Sequence, residues 1–87
     1  MEIRYTKRFL KDLSKIPLKQ REVIEVLIFE ELRLANSLRS IPNIKKLSID
    51  PYYRIRVGEF RIGIEKRNNY ILVRRVLSRK EIYKYFP

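Results

Sequence analysis

The segment from residue 52 to residue 65 constrains the fold most, because its side chains alternate with the period of a β-strand. Arg54, Arg56 and Arg61 fall on one side of this pattern, and Gly58-Glu59 separates its two halves as a tight turn. The apolar members fall on the other side: Tyr53, Ile55, Val57, Phe60, Ile62 and Ile64. The pattern predicts a β-hairpin that exposes three guanidinium groups, which is a surface suited to polyanions.

The positive charge of the chain is large and unevenly distributed. The 87 residues include 21 Lys and Arg against 10 Asp and Glu, for a net charge of +11. Residues 1–44 contribute +3, residues 45–51 contribute +1, and residues 52–87 contribute +7. A basic half of this kind favours a localised binding surface for nucleic acid, an acidic protein or an anionic membrane.

The residue types that are missing exclude several chemistries. The chain contains no cysteine, so a disulfide or a thiolate metal site is excluded, and it contains no histidine, the usual acid–base group near neutral pH. The length predicts one domain spanning residues 1–87. Residues 1–16 are too charged for a signal peptide and no apolar run could span a membrane, so we expect a cytoplasmic protein without membrane contact.

Two helices are predicted in the first half. Thr6 is a suitable N-cap for a helix ending near Ile16, and a longer helix is expected over residues 18–37. The main apolar stripe of the longer helix consists of Ile24, Leu27, Ile28, Leu32 and Ala35. Val23, Val26 and Phe29 widen that stripe beyond one face. The favoured interpretation is that the first helix packs on this extra surface as an αα-hairpin, and the alternative is a groove for a partner helix.

The remaining pattern predicts strands. Residues 2–5 form a short strand, residues 44–49 lead into the sheet, and strands follow at 52–57, 60–66 and 70–77. Asn68-Asn69 is the predicted site of positive φ between the last two strands, and either Arg74 or Arg75 could join the basic face. Residues 79–86 are predicted to form a short helix or turn. The predicted fold is therefore α+β, with the order β-α-α-β-β-β, a short C-terminal helix, and a mainly antiparallel sheet with a helical hairpin on one face.

Two motifs carry a resemblance to a known family. Tyr53-Arg54-Ile55-Arg56-Val57-Gly58-Glu59-Phe60-Arg61 and Val76-Leu77-Ser78-Arg79-Lys80-Glu81-Ile82-Tyr83, together with the length and element order, resemble RelE-type toxins of the RelE/ParE toxin–antitoxin superfamily, most of all the archaeal RelE toxins. The resemblance implies a ribosome-dependent mRNA endoribonuclease that inhibits translation without a metal or other cofactor. It also implies a cognate RelB-like antitoxin, in an oligomeric complex that binds operator DNA.

The resemblance also assigns roles to individual residues. Arg54 and Arg56 match the basic pair that faces mRNA, Arg61 matches the arginine at the scissile phosphate, and Arg79 matches the basic residue at the end of the last strand. Tyr83 resembles the C-terminal tyrosine that stacks on a base or assists proton transfer. The expected catalytic set is thus Arg54, Arg56, Arg61, Arg79 and Tyr83, and the expected RNA-binding set is Arg54, Arg56, Lys45, Lys46 and Lys80.

One departure from the family leaves alternatives open. Many relatives carry a histidine where this chain has Ser78, and serine alone is a poor general base. Proton transfer would then fall to Tyr83, Tyr85 or Lys80, or the enzyme would be weak and act mainly as a subunit of an antitoxin–repressor complex. A further alternative is a non-enzymatic toxin of the ParE type, which binds DNA gyrase.

Each candidate residue also has a structural interpretation. Arg54 and Arg56 could simply solubilise an exposed strand, and Arg61 could form an ion pair with Glu59 or Glu65. Tyr83, Tyr85 and Phe86 could pack the terminal helix against the sheet.

Overall fold

The computed structural model describes all residues from Met1 to Pro87 as one mixed sheet with helices. The strands are β1 (Ile3–Tyr5), β2 (Ile44–Lys46), β3 (Tyr52–Val57), β4 (Phe60–Lys66) and β5 (Ile71–Ser78). The helices are α1 (Lys7–Ser14), α2 (Leu18–Val26), α3 (Leu32–Leu34) and α4 (Ile82–Tyr85), with a π-helical turn at Leu27–Glu31 and a 3-10 turn at Leu38–Ser40. A membrane-spanning helix is absent from this set, since none combines the necessary length and apolar character.

The sheet has the strand order β1-β5-β4-β3-β2, in which only the β1–β5 pair is parallel. This arrangement confirms the predicted α+β fold with a mainly antiparallel sheet. The β3–β4 hairpin follows the predicted boundaries, and Gly58 at its turn has a φ of 57°. Strand β5 lies between β1 and β4 and is contacted by α1 on one face and by α4 on the other, which explains why apolar residues occur on both of its faces.

Helices α1, α2 and α3 cover one face of this sheet because their apolar residues recur at helical spacing. Thr6 starts α1, and its hydroxyl accepts a hydrogen bond from the Phe9 backbone nitrogen at 3.0 Å. The hydrophobic core then combines residues of both helices with the inner face of the sheet. Its completely buried members are Phe9, Ile24, Ile28, Leu32, Ile55, Ile62, Ile64 and Val73.

The prediction that the first helix covers the extra apolar surface of the second is wrong for the two valines. Helix α1 packs on β5, and the side chains of Val23 and Val26 remain 58% and 45% exposed. Phe29 is covered by Tyr5, whose ring it meets edge-on at a centroid distance of 5.0 Å. An exposed apolar strip therefore remains on α2.

Three local predictions also need correction. The helical run that begins at Leu18 ends at Leu34 rather than near residue 37, and α1 ends at Ser14 rather than near Ile16. Positive φ occurs at Asn43, with a value of 62°, and not at the Asn68-Asn69 pair. Asparagine tolerates this left-handed conformation better than most residues do, and Asn43 is the last residue of the turn that precedes β2.

Candidate active site on the arginine face

The β3–β4 hairpin brings Arg54, Arg56 and Arg61 together on the sheet face that points away from the core. Arg56 lies directly opposite Arg61 in the strand register, and Arg54 lies opposite Gly63. Directly opposed residues of antiparallel strands share one face, so the three side chains form a continuous group. We call this surface the arginine face.

Neutral oxygen atoms, rather than carboxylates, hold Arg54 and Arg56. The Arg54 guanidinium donates to the Asn43 backbone carbonyl at 3.4 Å, and the Arg56 guanidinium donates to the Asn43 side-chain carbonyl at 3.4 Å. The Arg56 backbone nitrogen also donates to the Asn43 carbonyl, at 3.1 Å. The Nε of Arg54 is buried and has no hydrogen-bond partner. No carboxylate therefore offsets the positive charge of Arg54 or Arg56.

Arg61 is anchored by the hairpin turn. One of its guanidinium nitrogens donates to the carbonyl oxygens of Gly58 and Phe60, at 2.8 and 2.9 Å. The alternative in which Arg61 pairs with a glutamate is wrong, because both candidate carboxylates pair with other arginines. Glu59 pairs with Arg79, and Glu65 pairs with Arg67 and Arg74.

The electrostatic environment of Arg61 reflects this accumulation of charge. Burial lowers the pKa of Arg61, and the neighbouring charges of Arg54, Arg56 and Arg79 lower it further. The Tyr83 phenol acts in the opposite direction. Arginine nevertheless stays protonated in proteins, so the repulsion is retained until an anion arrives.

Arg79 and Lys80 follow the end of β5, beside the hairpin turn. The Arg79 backbone nitrogen donates to the Glu59 carbonyl at 2.8 Å, and its guanidinium lies 3.1 Å from the Glu59 carboxylate. Both of these side chains are exposed, and Lys80 is exposed as well. Glu59 therefore offsets the charge of Arg79 through a solvent-screened contact that is easily exchanged.

Tyr83 projects from α4, which lies on the same side of the sheet as the arginines. Its side chain is 58% exposed, so it is not simply a packing residue of the terminal helix. Together with Lys45 and Ile49 it borders a surface cleft next to β2. Tyr83 can therefore reach a ligand on the arginine face.

The two lysines of β2 have different surroundings. Lys45 lies opposite Arg54 in the register and therefore shares the arginine face. Lys46 lies opposite Tyr53, on the other face, and its Nζ is 3.0 Å from Asp50. The hydrogen bond to Asp50 raises the pKa of Lys46. The register thus places Lys45 on the arginine face and Lys46 on the other face, although Lys46 also borders the cleft beside Tyr83.

Neither arginine of β5 joins the arginine face as a free cation. The register shift between Gly63 and Ile64 leaves Arg74 without a cross-strand partner, and its guanidinium binds Glu65 at 2.6 Å. Arg75 binds both oxygens of Asp12 on α1, at 2.7 and 3.1 Å.

A groove of about 840 Å³ connects the arginine face with the exposed strip of α2. Its lining includes the cations Arg56, Arg61 and Arg79, the apolar Val23 and Val26, and the carboxylates of Glu31 and Glu59. Cationic and apolar surfaces are thus offered to a ligand together. No group of three or more histidine, cysteine, aspartate or glutamate residues could hold a metal ion.

Comparison with known proteins identifies the family of this chain. Residues 3–83 match the family model described as the ParE toxin of the type II toxin–antitoxin system parDE. Toxin RelE3 of Methanocaldococcus jannaschii is 48% identical over 89 residues, with all of both chains covered. The chain belongs to the RelE/ParE family of type II toxins.

Solved structures agree with this assignment. The RelB–RelE antitoxin–toxin complex of Methanococcus jannaschii contains a chain that is 48% identical, with a TM-score of 0.81 and coverage of 97% of this toxin and 99% of that chain. The archaeal RelE–RelB complex of Pyrococcus horikoshii OT3 shares the fold, with 19% identity, a TM-score of 0.61 and coverage of 93% and 97% of the two chains.

Sequence reasoning missed three residues that shape the candidate site. Asn43 holds two of the arginines, Glu59 holds Arg79, and Gly63 lets the C-terminal segment approach the sheet. A signal existed for Gly63, because an isolated glycine within a strand often marks a close approach of another group. The partners of Asn43 and Glu59 depend on how the loops fold back, which no local pattern encodes.

Proposed function

We propose that this toxin is a ribosome-dependent mRNA endoribonuclease, an mRNA interferase that inhibits translation. The observation that carries the proposal is the group of Arg54, Arg56 and Arg61, which share one rigid sheet face without a carboxylate partner. Planar guanidinium groups match phosphate in shape and charge, so such a face suits a nucleic-acid backbone. The full-length similarity to a RelE toxin supports the same reading.

The chemistry is an attack of a ribose 2′-oxygen on the adjacent phosphorus. A new 2′-O–P bond forms, the P–O5′ bond breaks, and negative charge gathers on the non-bridging phosphoryl oxygens. In the proposal Arg61 binds these oxygens, because its side chain is held by the Gly58 and Phe60 carbonyls and needs little reorganisation. Fixed donors aimed at developing charge are often the largest single contribution to catalysis.

Proton transfer falls to Tyr83 in this proposal. Ser78 ends β5 opposite Phe60 in the sheet register, and serine alone is a poor general base. Tyr83 is exposed beside the arginine face, and its hydroxyl can donate a proton to the departing 5′-oxygen while the 2′-OH proton passes to solvent. The same ring could stack on a base.

The ribosome supplies what the chain lacks. The arginine face is an open surface, and its groups bind phosphate without fixing the two neighbouring nucleotides in line for attack. Holding reacting atoms in such a geometry contributes a large part of many rate enhancements. We therefore propose that the ribosome presents the mRNA in the reactive conformation, with the toxin acting in the cytoplasm.

An acidic, amphipathic antitoxin of the RelB type is the proposed partner. The groove between the arginines and the exposed Val23–Val26 strip suits a segment with carboxylates along one side and apolar residues along the other. Several structural relatives are toxins bound to RelB proteins, which supports this choice. We also propose that the complex is oligomeric and binds operator DNA, as the family resemblance implies.

Mapping of mRNA ends tests the activity. Purified toxin is added to translating ribosomes and, separately, to the same mRNA without ribosomes in EDTA-containing buffer. We expect cleavage within translated codons only in the first arm. Efficient cleavage of naked RNA would contradict the ribosome requirement, and no cleavage in either arm would contradict the nuclease itself.

A ParE-like action on DNA gyrase is the second candidate, because the matching family model is described as a ParE toxin. Such an action needs no catalytic residues on the toxin. A supercoiling assay with purified gyrase separates the two, since the nuclease proposal predicts no inhibition. If gyrase is not inhibited and cleavage on ribosomes is detectable but slow, while an antitoxin complex binds operator DNA, the toxin is a weak enzyme that serves mainly as a repressor subunit.

A further inference from the structure

The C-terminal segment packs closely on the arginine face. This contact has no role in the chemistry proposed above. Phe86 is 2% exposed, and its ring lies on the β4 backbone at Gly63. A Cβ atom placed on Gly63 would lie only 2.6 Å from two carbons of that ring. Real Cβ atoms do not approach so closely, so only glycine allows this contact. The Tyr52 ring meets Phe86 edge-on at a centroid distance of 5.4 Å.

The depression over Gly63 that holds the Phe86 ring, which we call the Phe86 pit, is part of the candidate site. Gly63 is the cross-strand partner of Arg54, so Phe86 occupies the same row of the sheet as the first arginine. The hydrophobic core on the opposite face does not include Phe86 or Ile82. The contact is therefore separate from the packing between the helices and the sheet.

Helix α4 depends on this contact for its placement. The helix has only four residues, Ile82–Tyr85, and a helix of one turn is not stable by itself in water. Ile82 is completely buried, and the Phe86 backbone nitrogen donates to the Ile82 carbonyl at 2.8 Å. Two buried side chains, four residues apart, therefore pin the helix, and the exposed Tyr83 lies between them in the sequence.

We infer that Phe86, seated on Gly63, is a positioning residue that fixes Tyr83 beside the arginine face. The inference rests on the proposed function for the role of Tyr83, but the positioning itself does not depend on it. Without the anchor at Phe86, α4 is tied to the sheet through the buried Ile82 and through the exposed Tyr85 ring, whose centroid lies 5.5 Å from the Arg75 guanidinium, and Tyr83 loses a fixed direction. A misplacement of about 1 Å at a reacting group can cost about a hundredfold in rate.

Cleavage kinetics test the inference under single-turnover conditions on saturating ribosomes. We expect Phe86→Ala and Gly63→Ala each to slow cleavage by about ten- to a hundredfold without weakening ribosome binding. Phe86→Leu, which refills part of the pit, should recover part of the rate. The double variant Gly63→Ala/Phe86→Ala should be no slower than the slower single variant, because both substitutions remove one contact. In a Tyr83→Ala background, Phe86→Ala should have no further effect.

Nuclear magnetic resonance provides a measurement that does not require cleavage. We expect the Tyr83 ring signals of Phe86→Ala and Gly63→Ala to shift toward random-coil values, while the signals of the core residue Ile55 stay unchanged. Lys84→Ala is the matched control on the same helix, and it should preserve both the Tyr83 signals and the rate.

The outcomes separate the inference from the proposed function. A wild-type protein that never cleaves mRNA would overturn the nuclease, and the Tyr83 signals would still decide the positioning. Unchanged Tyr83 signals in Phe86→Ala would overturn the inference. So would a further loss of rate from Phe86→Ala in the Tyr83→Ala background, or the loss of the Ile55 signals in every Phe86 and Gly63 variant.

Discussion

The arginines on β5 and those on the β3–β4 hairpin have the same chemistry but opposite surroundings. Arg74 and Arg75 each bind a carboxylate that is at most a tenth exposed, on Glu65 and Asp12. Arg54 and Arg61 are held by backbone carbonyls and meet no carboxylate. The β5 arginines are therefore neutralised parts of the structure, whereas the hairpin arginines retain a charge that a ligand can use.

The difference teaches that the partner of an arginine, rather than its place in the sequence, indicates its role. Asp12 accepts from Arg75 and also from the Val76 backbone nitrogen at 3.2 Å, beyond the point where pairing with β1 ends at Val73. That carboxylate thus completes a strand edge as well as an ion pair. On the hairpin, by contrast, repulsion between arginines is tolerated in a position that contributes little to packing.

The largest expected effect is the loss of stability in Asp12→Ala. The substitution leaves the Arg75 guanidinium and the Val76 nitrogen without their partner, and breaking a buried ion pair typically costs about 3–5 kcal/mol. Chemical denaturation should show this decrease in the free energy of unfolding. Glu2→Ala, which removes the exposed partner of Arg4, is the control and should change the midpoint far less. Equal effects of the two substitutions would contradict the structural role of the Asp12–Arg75 pair.

The next largest expected effect is the loss of cleavage rate in the Arg61→Ala variant. Removing one preorganised donor typically costs about 2.7–4 kcal/mol of transition-state stabilisation, or about a hundred- to a thousandfold in rate. Single-turnover cleavage on saturating ribosomes measures this loss, and thermal unfolding should show an intact fold. Lys66→Ala removes an exposed cation from the end of the same strand and should cleave at the wild-type rate. If Arg61→Ala is folded and equally fast, the proposed active face is misplaced.

The contrast between the hairpin arginines and the β5 arginines also shows which features of the structure could be predicted from the sequence. The β3–β4 hairpin and its three arginines follow from alternation, which is a local property, and their boundaries are confirmed. The partners of Arg74 and Arg75 could not be predicted, because the register shift beside Gly63 interrupts the alternation on β5 and Asp12 is distant in sequence. The exposure of Val23 and Val26 depends on which surface α1 selects, and only tertiary packing decides that.

A smaller effect, on the free energy of unfolding, is expected from Arg56→Thr. The sign of that change shows whether Arg56 serves ligand binding or the stability of the fold. Arg56 faces Arg61 directly across the strands, and like charges in such a pair are destabilising. Threonine suits a strand and removes the repulsion, so the free energy of unfolding should rise by about 0.2–1 kcal/mol. Cleavage should become slower in the same variant. A loss of stability would show that Arg56 contributes to the fold as the β5 arginines do.

The smallest expected effect separates the two lysines of β2. Lys45 shares the face of Arg54, whereas Lys46 lies on the other face and is bound to Asp50. A cation that contacts phosphate releases a counterion, so Lys45→Ala should weaken ribosome binding slightly and lower the slope of its salt dependence by about one. Lys46→Ala serves as the matched control and should preserve that slope, because its charge already has a partner within the chain. Binding titrations at several salt concentrations measure both slopes, and the single-turnover rate should stay unchanged in each variant. A lower slope for Lys46→Ala alone would mean that RNA contacts the helical side of the sheet, and the arginine face would then not be the principal RNA-binding surface.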